Sequence, residues 1–173
     1  AYFLAQIPIL RAGLSDALSV RIYEAYFDVQ RAAHAGQALD IDGLARLMPE
    51  VADSGDGALL SARVLATHRL KSGAPAGAVA RVAALVGGGT LEQAESLGRL
   101  FEAFGAAFQI IDDVLNLRGF EENRKQRGED ISAGKITAPV AKAMGLLARE
   151  LRFELATILA AKPADRGTIL RAV

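Results

Sequence analysis

The chain contains no cysteine, which removes disulfides and thiolate metal sites from consideration. Histidine is scarce as well: only His34 and His68 stand among 173 residues, so zinc is a poor fit. Neither sign of charge is in excess, with twenty basic residues balancing twenty acidic ones. A neutral chain generates no overall field toward nucleic acid or an anionic membrane, and any polyanion must be held by a few local cations. Long apolar runs are missing too. "AVARVAALV" and "LATILAA" are too short or carry an arginine, whereas a transmembrane helix needs roughly 20 apolar residues. No segment alternates with the period of two that a strand requires.

What is present is a globular composition, 51% apolar and 23% charged, long enough for one domain over residues 1–173 with a sizeable core. No signal-peptide pattern is seen, and a cytoplasmic location is the default expectation. The opening "AYFLAQIPIL" starts without methionine and is apolar at once. It reads as the middle of a helical protein, which predicts an upstream region that this sequence lacks or that was processed away.

Helical periodicity dominates. From Asp16 to about Ala38, Leu18, Ile22, Ala25, Tyr26, Val29 and Ala33 recur at three- and four-residue spacing, with Asp16 as the expected N-cap and Gly36 near the end. A brief helix is expected within "LDIDGLARLMPEVADSGDG". "ALLSARVLATHRLKS" predicts another that stops at Gly73 and Pro75, followed by a short helix to Val86 and a glycine triplet. The longest helix runs from Leu91 to about Leu117, with Leu97, Phe101, Phe104, Phe108, Ile111 and Leu115 as its apolar stripe. After a charged, glycine-containing loop, Thr137 is expected to cap a helix with Pro139 in its first turn, continuing to about Ala161. A last helix follows Pro163. The expectation is an all-α bundle.

"FQIIDDVLNL" sets two adjacent aspartates in an apolar run, and an uncompensated carboxylate is costly to bury. At about 100° per residue, Gln109, Asp112, Asp113 and Asn116 share an arc of about 100° on the long helix. Gly98, Glu102 and Gly105 continue the line, and the two glycines let another backbone or a ligand come close. The helix is therefore expected to be buried nearly all round except along this stripe. The acids sit near the C-terminal end, where the helix dipole opposes them, so they are not an N-cap. Three oxygen donors on one face read as a site for a hard cation such as Mg²⁺, which keeps waters and is shared with substrate phosphates.

A polyphosphate also needs basic donors. Lys71 ends a predicted helix with the hydroxyl of Ser72 beside it. Lys125 and Lys135 lie in the loop after the acidic stripe, and Lys135 precedes a helix N-terminus, a favourable place for anions. Taken singly, each is ordinarily a solvated lysine; their context says more. "GQALD" (36–40), "KSGA" (71–74), "FGAAFQIIDDVLN" (104–116) and "GEDISAGKITAP" (128–139) follow in one order. Together they resemble the second half of a trans-isoprenyl diphosphate synthase, the polyprenyl synthetase family, over essentially the whole chain.

The resemblance implies an antiparallel helical bundle of the isoprenoid synthase type with its N-terminal helices missing. It implies a prenyltransferase that joins an allylic prenyl diphosphate to isopentenyl diphosphate through Mg²⁺-assisted ionisation, releasing pyrophosphate. Asp112 and Asp113 match the second aspartate-rich motif, whose first acid binds the metal. Lys71 and Ser72 match the pair that contacts the diphosphate, and Gln109 a glutamine near the reacting carbon. Lys125 and Lys135 match further diphosphate ligands, Gln37 and Asp40 a pair lining the cavity, and Asp130 a residue positioning the lysine loop. Phe101, Phe104 and Phe108 are expected in the core, with one of them at most on the tail pocket.

Asn116 departs from the aspartate common at its position but still offers an oxygen. The family's first aspartate-rich motif and its isopentenyl diphosphate ligands are absent here. Product length is therefore unreadable, and the 173 residues alone are expected to be inactive. A homodimer is the expected assembly. The alternatives are a non-catalytic regulatory subunit, a class I terpene cyclase, whose second metal motif this helix lacks, and a helical interaction module.

Overall fold

A computed structural model describes residue 4 and residues 6–119 and 127–173. Among these, every regular element is a helix. Ten helices follow in order: α1 Gln6–Arg11, α2 Asp16–Asp42, α3 Met48–Ser54, α4 Ala58–His68, α5 Ala74–Val86, α6 Leu91–Arg118, α7 Glu129–Ser132, α8 Ala138–Met144, α9 Arg149–Ala161 and α10 Arg166–Ala172. No described helix is long and apolar enough to cross a membrane.

Local chemistry sets most ends. Thr90 and Gln93 form a reciprocal capping box at the start of α6, satisfying two amides that the helix leaves without partners. Ser15, not Asp16, caps α2 by accepting from the Leu18 amide, and α2 runs four residues past the expected end. The helix expected from Thr137 to Ala161 is two helices. Gly145 ends α8, and α9 begins after Ala148. Asp165 caps α10, and the Thr168 amide bonded to its carboxylate holds its pKa below the usual range.

Helix α4 does not stop at Gly73. It passes through a five-residue π turn, Arg69–Gly73, straight into α5, with the Ala74 amide reaching back to the Arg69 carbonyl. Pro75 sits in the first turn of α5, where its missing N–H breaks nothing. Wide turns of this kind recur at functional sites, and this one carries Lys71 and Ser72.

Two kinds of packing hold the elements. Met48, Val51, Leu60, Val64, Ile131, Val140, Met144, Leu155 and Leu159 form a core of large side chains joining α3, α4, α7, α8 and α9. Arg152 reinforces it from α9 by donating to the carbonyls of Ala52, Asp53 and Leu147. By contrast, α2, α5 and α6 meet through a seam of small residues. An added Cβ at Gly77 would lie 2.7 Å from the Gly98 carbonyl oxygen, and at Gly105 2.7 Å from that of Ser72. Of the glycines on the polar stripe, Gly105 thus admits a backbone, and Gly98 lies against the Arg81 guanidinium.

This seam reverses the expected orientation of α6. Its buried residues are Ala94, Gly98, Gly105, Ala106, Asp113 and Asn116. The apolar stripe faces outward, with Phe104 and Phe108 67% and 65% exposed. Phe101, Phe104 and Phe108 are therefore neither core residues nor cavity wall in this chain.

Candidate active site

A cavity of about 600 Å³ opens between α2, the α4–α5 junction, α6 and the loop before α8. Lys71 reaches it from the π turn, Gln109 and Asp112 from α6, Lys135 from the loop and Asp40 from α2. Residues from across the sequence thus share one space.

Each side chain is held. The Lys71 ammonium donates to Asp40 Oδ2 at 2.6 Å, and both are part-buried. The Ser72 hydroxyl donates to Gln109 Oε1 at 2.9 Å, which fixes the amide at the cavity wall. Lys135 follows Gly134, whose φ of 70° is open to glycine at low cost. The Lys135 amide donates to the Asp130 carbonyl at 2.9 Å, and its ammonium stands 3.9 Å from Asp130 Oδ1. Asp130 thus meets Lys135 through both its carbonyl and its carboxylate. Lys125 lies outside the described residues. Gln37 is exposed on α2, one turn before Asp40, and does not line the cavity.

The acidic trio divides in a way its helical arc did not reveal. Asp113 is buried, and its Oδ2 accepts from His68 Nε2 and from the Ala138 amide, both at 2.9 Å. Asn116 is buried too: its Oδ1 accepts from the Asp130 amide at 3.2 Å, and its carbonyl from the Gly128 amide. These two residues fasten the loop that carries Lys135. Asp112 is half-buried on the cavity wall. All three residues line the cavity, with Asp113 and Asn116 also bonded to the Lys135 loop; among the described residues, no three histidine or acidic side chains group as a candidate metal set.

Charge decides what the cavity can take. Six carboxylates (Asp40, Asp42, Asp112, Asp113, Glu129, Asp130) and three lysines (Lys71, Lys135, Lys162) line it among the described residues. A multiply charged anion meets net repulsion there unless a cation enters with it.

Sequence reasoning missed His68, although its position one turn before Lys71 placed both on one helix face. It also expected the Thr137 side chain to cap α8. The threonine occupies the cap position, but its hydroxyl makes no cap bond. That hydroxyl is buried without a hydrogen-bond partner among the described residues. Thr137→Val, which keeps the β-branched shape, is expected to stabilise the protein by about 1 kcal/mol, roughly 2–4 °C in Tm. An unchanged or lower Tm in calorimetry would show that the hydroxyl has a partner.

The model of the family described as polyprenyl synthetase matches residues 2–173. The chain belongs to the polyprenyl synthetase family. Among its relatives in Arabidopsis thaliana, geranylgeranyl pyrophosphate synthase 11, chloroplastic, is 35% identical over 112 residues, covering 61% of this chain and 31% of the relative. The heterodimeric geranylgeranyl pyrophosphate synthase large subunit 1, chloroplastic, is 32% identical over 139 residues, covering 76% of this chain and 35% of the relative. Geranylgeranyl pyrophosphate synthase 10, mitochondrial, is 40% identical over 73 residues, 42% of this chain and 21% of the relative. The chain thus spans about a third or less of the length of these curated relatives. The all-helical architecture is the one expected of the family.

Proposed function

We propose that this chain supplies the wall of a prenyltransferase active site that grips an allylic diphosphate. In the full-length protein, that site condenses the allylic substrate with isopentenyl diphosphate and releases pyrophosphate. The observation that carries this reading is the convergence of Lys71, Gln109, Asp112 and Lys135 on one cavity.

The donor set fits Mg²⁺ as a shared ion. The cavity's carboxylates, Asp112 among them, suit a metal that takes one or two carboxylates and completes its shell with water and substrate phosphates. Excess negative charge in the cavity makes a divalent cation the natural companion of a diphosphate. When bound there, Mg²⁺ would neutralise charge developing on the leaving pyrophosphate.

The chain's own groups do the rest. Lys71 and Lys135 donate to the diphosphate oxygens, with Asp40 and Asp130 keeping the ammonium groups in place beforehand. Preorganised donors of this kind lose little in reorganisation when charge develops. Gln109, fixed by Ser72, presents an amide dipole to the carbon end of the allylic group. The uncovered aromatic face of α6 supports the reading of a homodimer, which sedimentation of the full-length protein as a monomer would remove.

Incubating the full-length protein with an allylic prenyl diphosphate, isopentenyl diphosphate and Mg²⁺ is expected to release pyrophosphate. In Lys71→Ala, kcat/KM should fall by about 10²-fold or more, as when a transition-state charge donor is lost. Absence of pyrophosphate release across allylic substrates of different length would defeat the proposal.

A further inference from the structure

We infer that His68 is a positioning residue of this site: it holds Asp113 as an anchor that sets the spacing of the ligand residues around it. The inference rests on the diphosphate-binding reading above.

One carboxylate oxygen carries the argument. Asp113 Oδ2 accepts from His68 Nε2 and from the Ala138 amide, each at 2.9 Å. The side chains of His68 and Asp113 are only 11% and 6% exposed. That single atom therefore ties the end of α4, the middle of the C-terminal half of α6 and the start of α8. Each tied segment bears a ligand residue within a turn: Lys71 lies three residues after His68, Lys135 three residues before Ala138, and Asp112 next to Asp113. The spacing of Lys71, Asp112 and Lys135 is set at this junction.

The bond also fixes what His68 can be. A carboxylate oxygen that already takes a backbone N–H can only accept again, so Nε2 carries the proton. A protonated Nε2 is neither a metal ligand nor a base toward the cavity. Its effect passes through Asp113. A buried carboxylate that loses one of two donors is undercompensated and seeks another cation. With His68 removed, Asp113 is released to compete with Asp112 for the metal, and the loops on either side lose their common tether. Partners lying behind metal ligands commonly affect metal affinity by about 10- to 100-fold.

The test measures Mg²⁺-dependent binding of inorganic pyrophosphate to the full-length protein by calorimetry. In His68→Leu, which keeps bulk but offers no donor, the Mg²⁺ concentration for half-saturation should rise about tenfold or more. His68→Gln, whose amide reaches across with a donor, should stay within about threefold of the parent. His68→Asn is too short to reach and should behave like the leucine variant, so it carries the test if the latter fails to fold. Combining His68→Leu with Asp113→Ala should add little to the larger single effect, because His68 acts through Asp113. In turnover, the loss should fall on the Mg²⁺ and diphosphate half-saturation values and leave saturated kcat within about threefold.

Unchanged Mg²⁺ dependence in His68→Leu and His68→Asn, alongside weakened binding in Lys71→Ala, would overturn the inference and leave the site reading intact. A leucine variant and a glutamine variant impaired alike would also overturn it, since the donor would then be irrelevant. No Mg²⁺-dependent pyrophosphate binding by the parent protein would remove both readings.

Discussion

Asp112→Ala is expected to weaken Mg²⁺-dependent binding of a prenyl diphosphate analogue to the full-length protein by about 10²-fold or more, the scale of losing a metal's charge compensation. The reason lies in the division of the acidic trio. Asp113 and Asn116 fasten the Lys135 loop through amides and His68, and Asp112 stands beside them on the cavity wall. A control with opposite sign separates this from general damage. With Mg²⁺ removed by chelator, the same substitution deletes one of six repelling carboxylates, so residual binding of the anion should rise a few-fold. A collapsed site would lose binding under both conditions. Equal affinities for variant and parent in Mg²⁺ would take Asp112 out of the site.

The second large effect is expected at a glycine of α2. A Cβ on Gly36 would lie 2.6 Å from the Lys71 amide nitrogen and 2.9 Å from the Leu70 carbonyl carbon. These are backbone atoms of the π turn, so no side-chain rotation relieves the clash. Gly36→Val should cost about 1–3 kcal/mol or more through overpacking. It should also push Lys71 out of line with Asp40 and lower pyrophosphate affinity in Mg²⁺ by about tenfold, the scale of one charged hydrogen bond. Gly167→Ala in α10 is the comparison: its Cβ meets only the Asp165 carboxylate at 3.5 Å, and removing a helical glycine there should be neutral or stabilising by up to about 1 kcal/mol. Differential scanning calorimetry and calorimetric binding on both variants check this. A Gly36→Val protein with parental Tm and affinity would mean that α2 is not pressed against the turn.

Local rules were readable in the sequence, and long-range partners were not. The capping box of α6 needs only Thr90 and Gln93, three residues apart, and the helical periods from Asp16 and from Leu91 gave their helices directly. Pro75 was misread because a Gly–x–Pro pattern signals a stop equally well when the proline occupies a first turn. The apolar stripe of α6 was real, yet periodicity cannot say which side of a helix is covered. The decision came from the π turn and α5, whose Gly73 and Gly77 allow a backbone approach that phenylalanines could not match. The composition of the site was legible in its motifs, because Lys71, Gln109, Asp112 and Lys135 do meet. The pairings were not: Lys71 and Asp40 are 31 residues apart, His68 and Asp113 are 45 apart, and nothing in one strand of text marks a hydrogen bond across such separations.

The π turn at Arg69–Gly73 is, in effect, a phase shifter between two helical registers. A π turn rotates less per residue than the about 100° of an α-turn, so an ordinary α-turn through these five residues would carry α5 further round. Gly73 and Gly77 could then not face α6 while His68 still faced Asp113. Removing one residue from this segment should therefore let it close as an ordinary α-turn with α5 at nearly its present angle, whereas adding one would dial every later contact of α5 to the wrong angle at once.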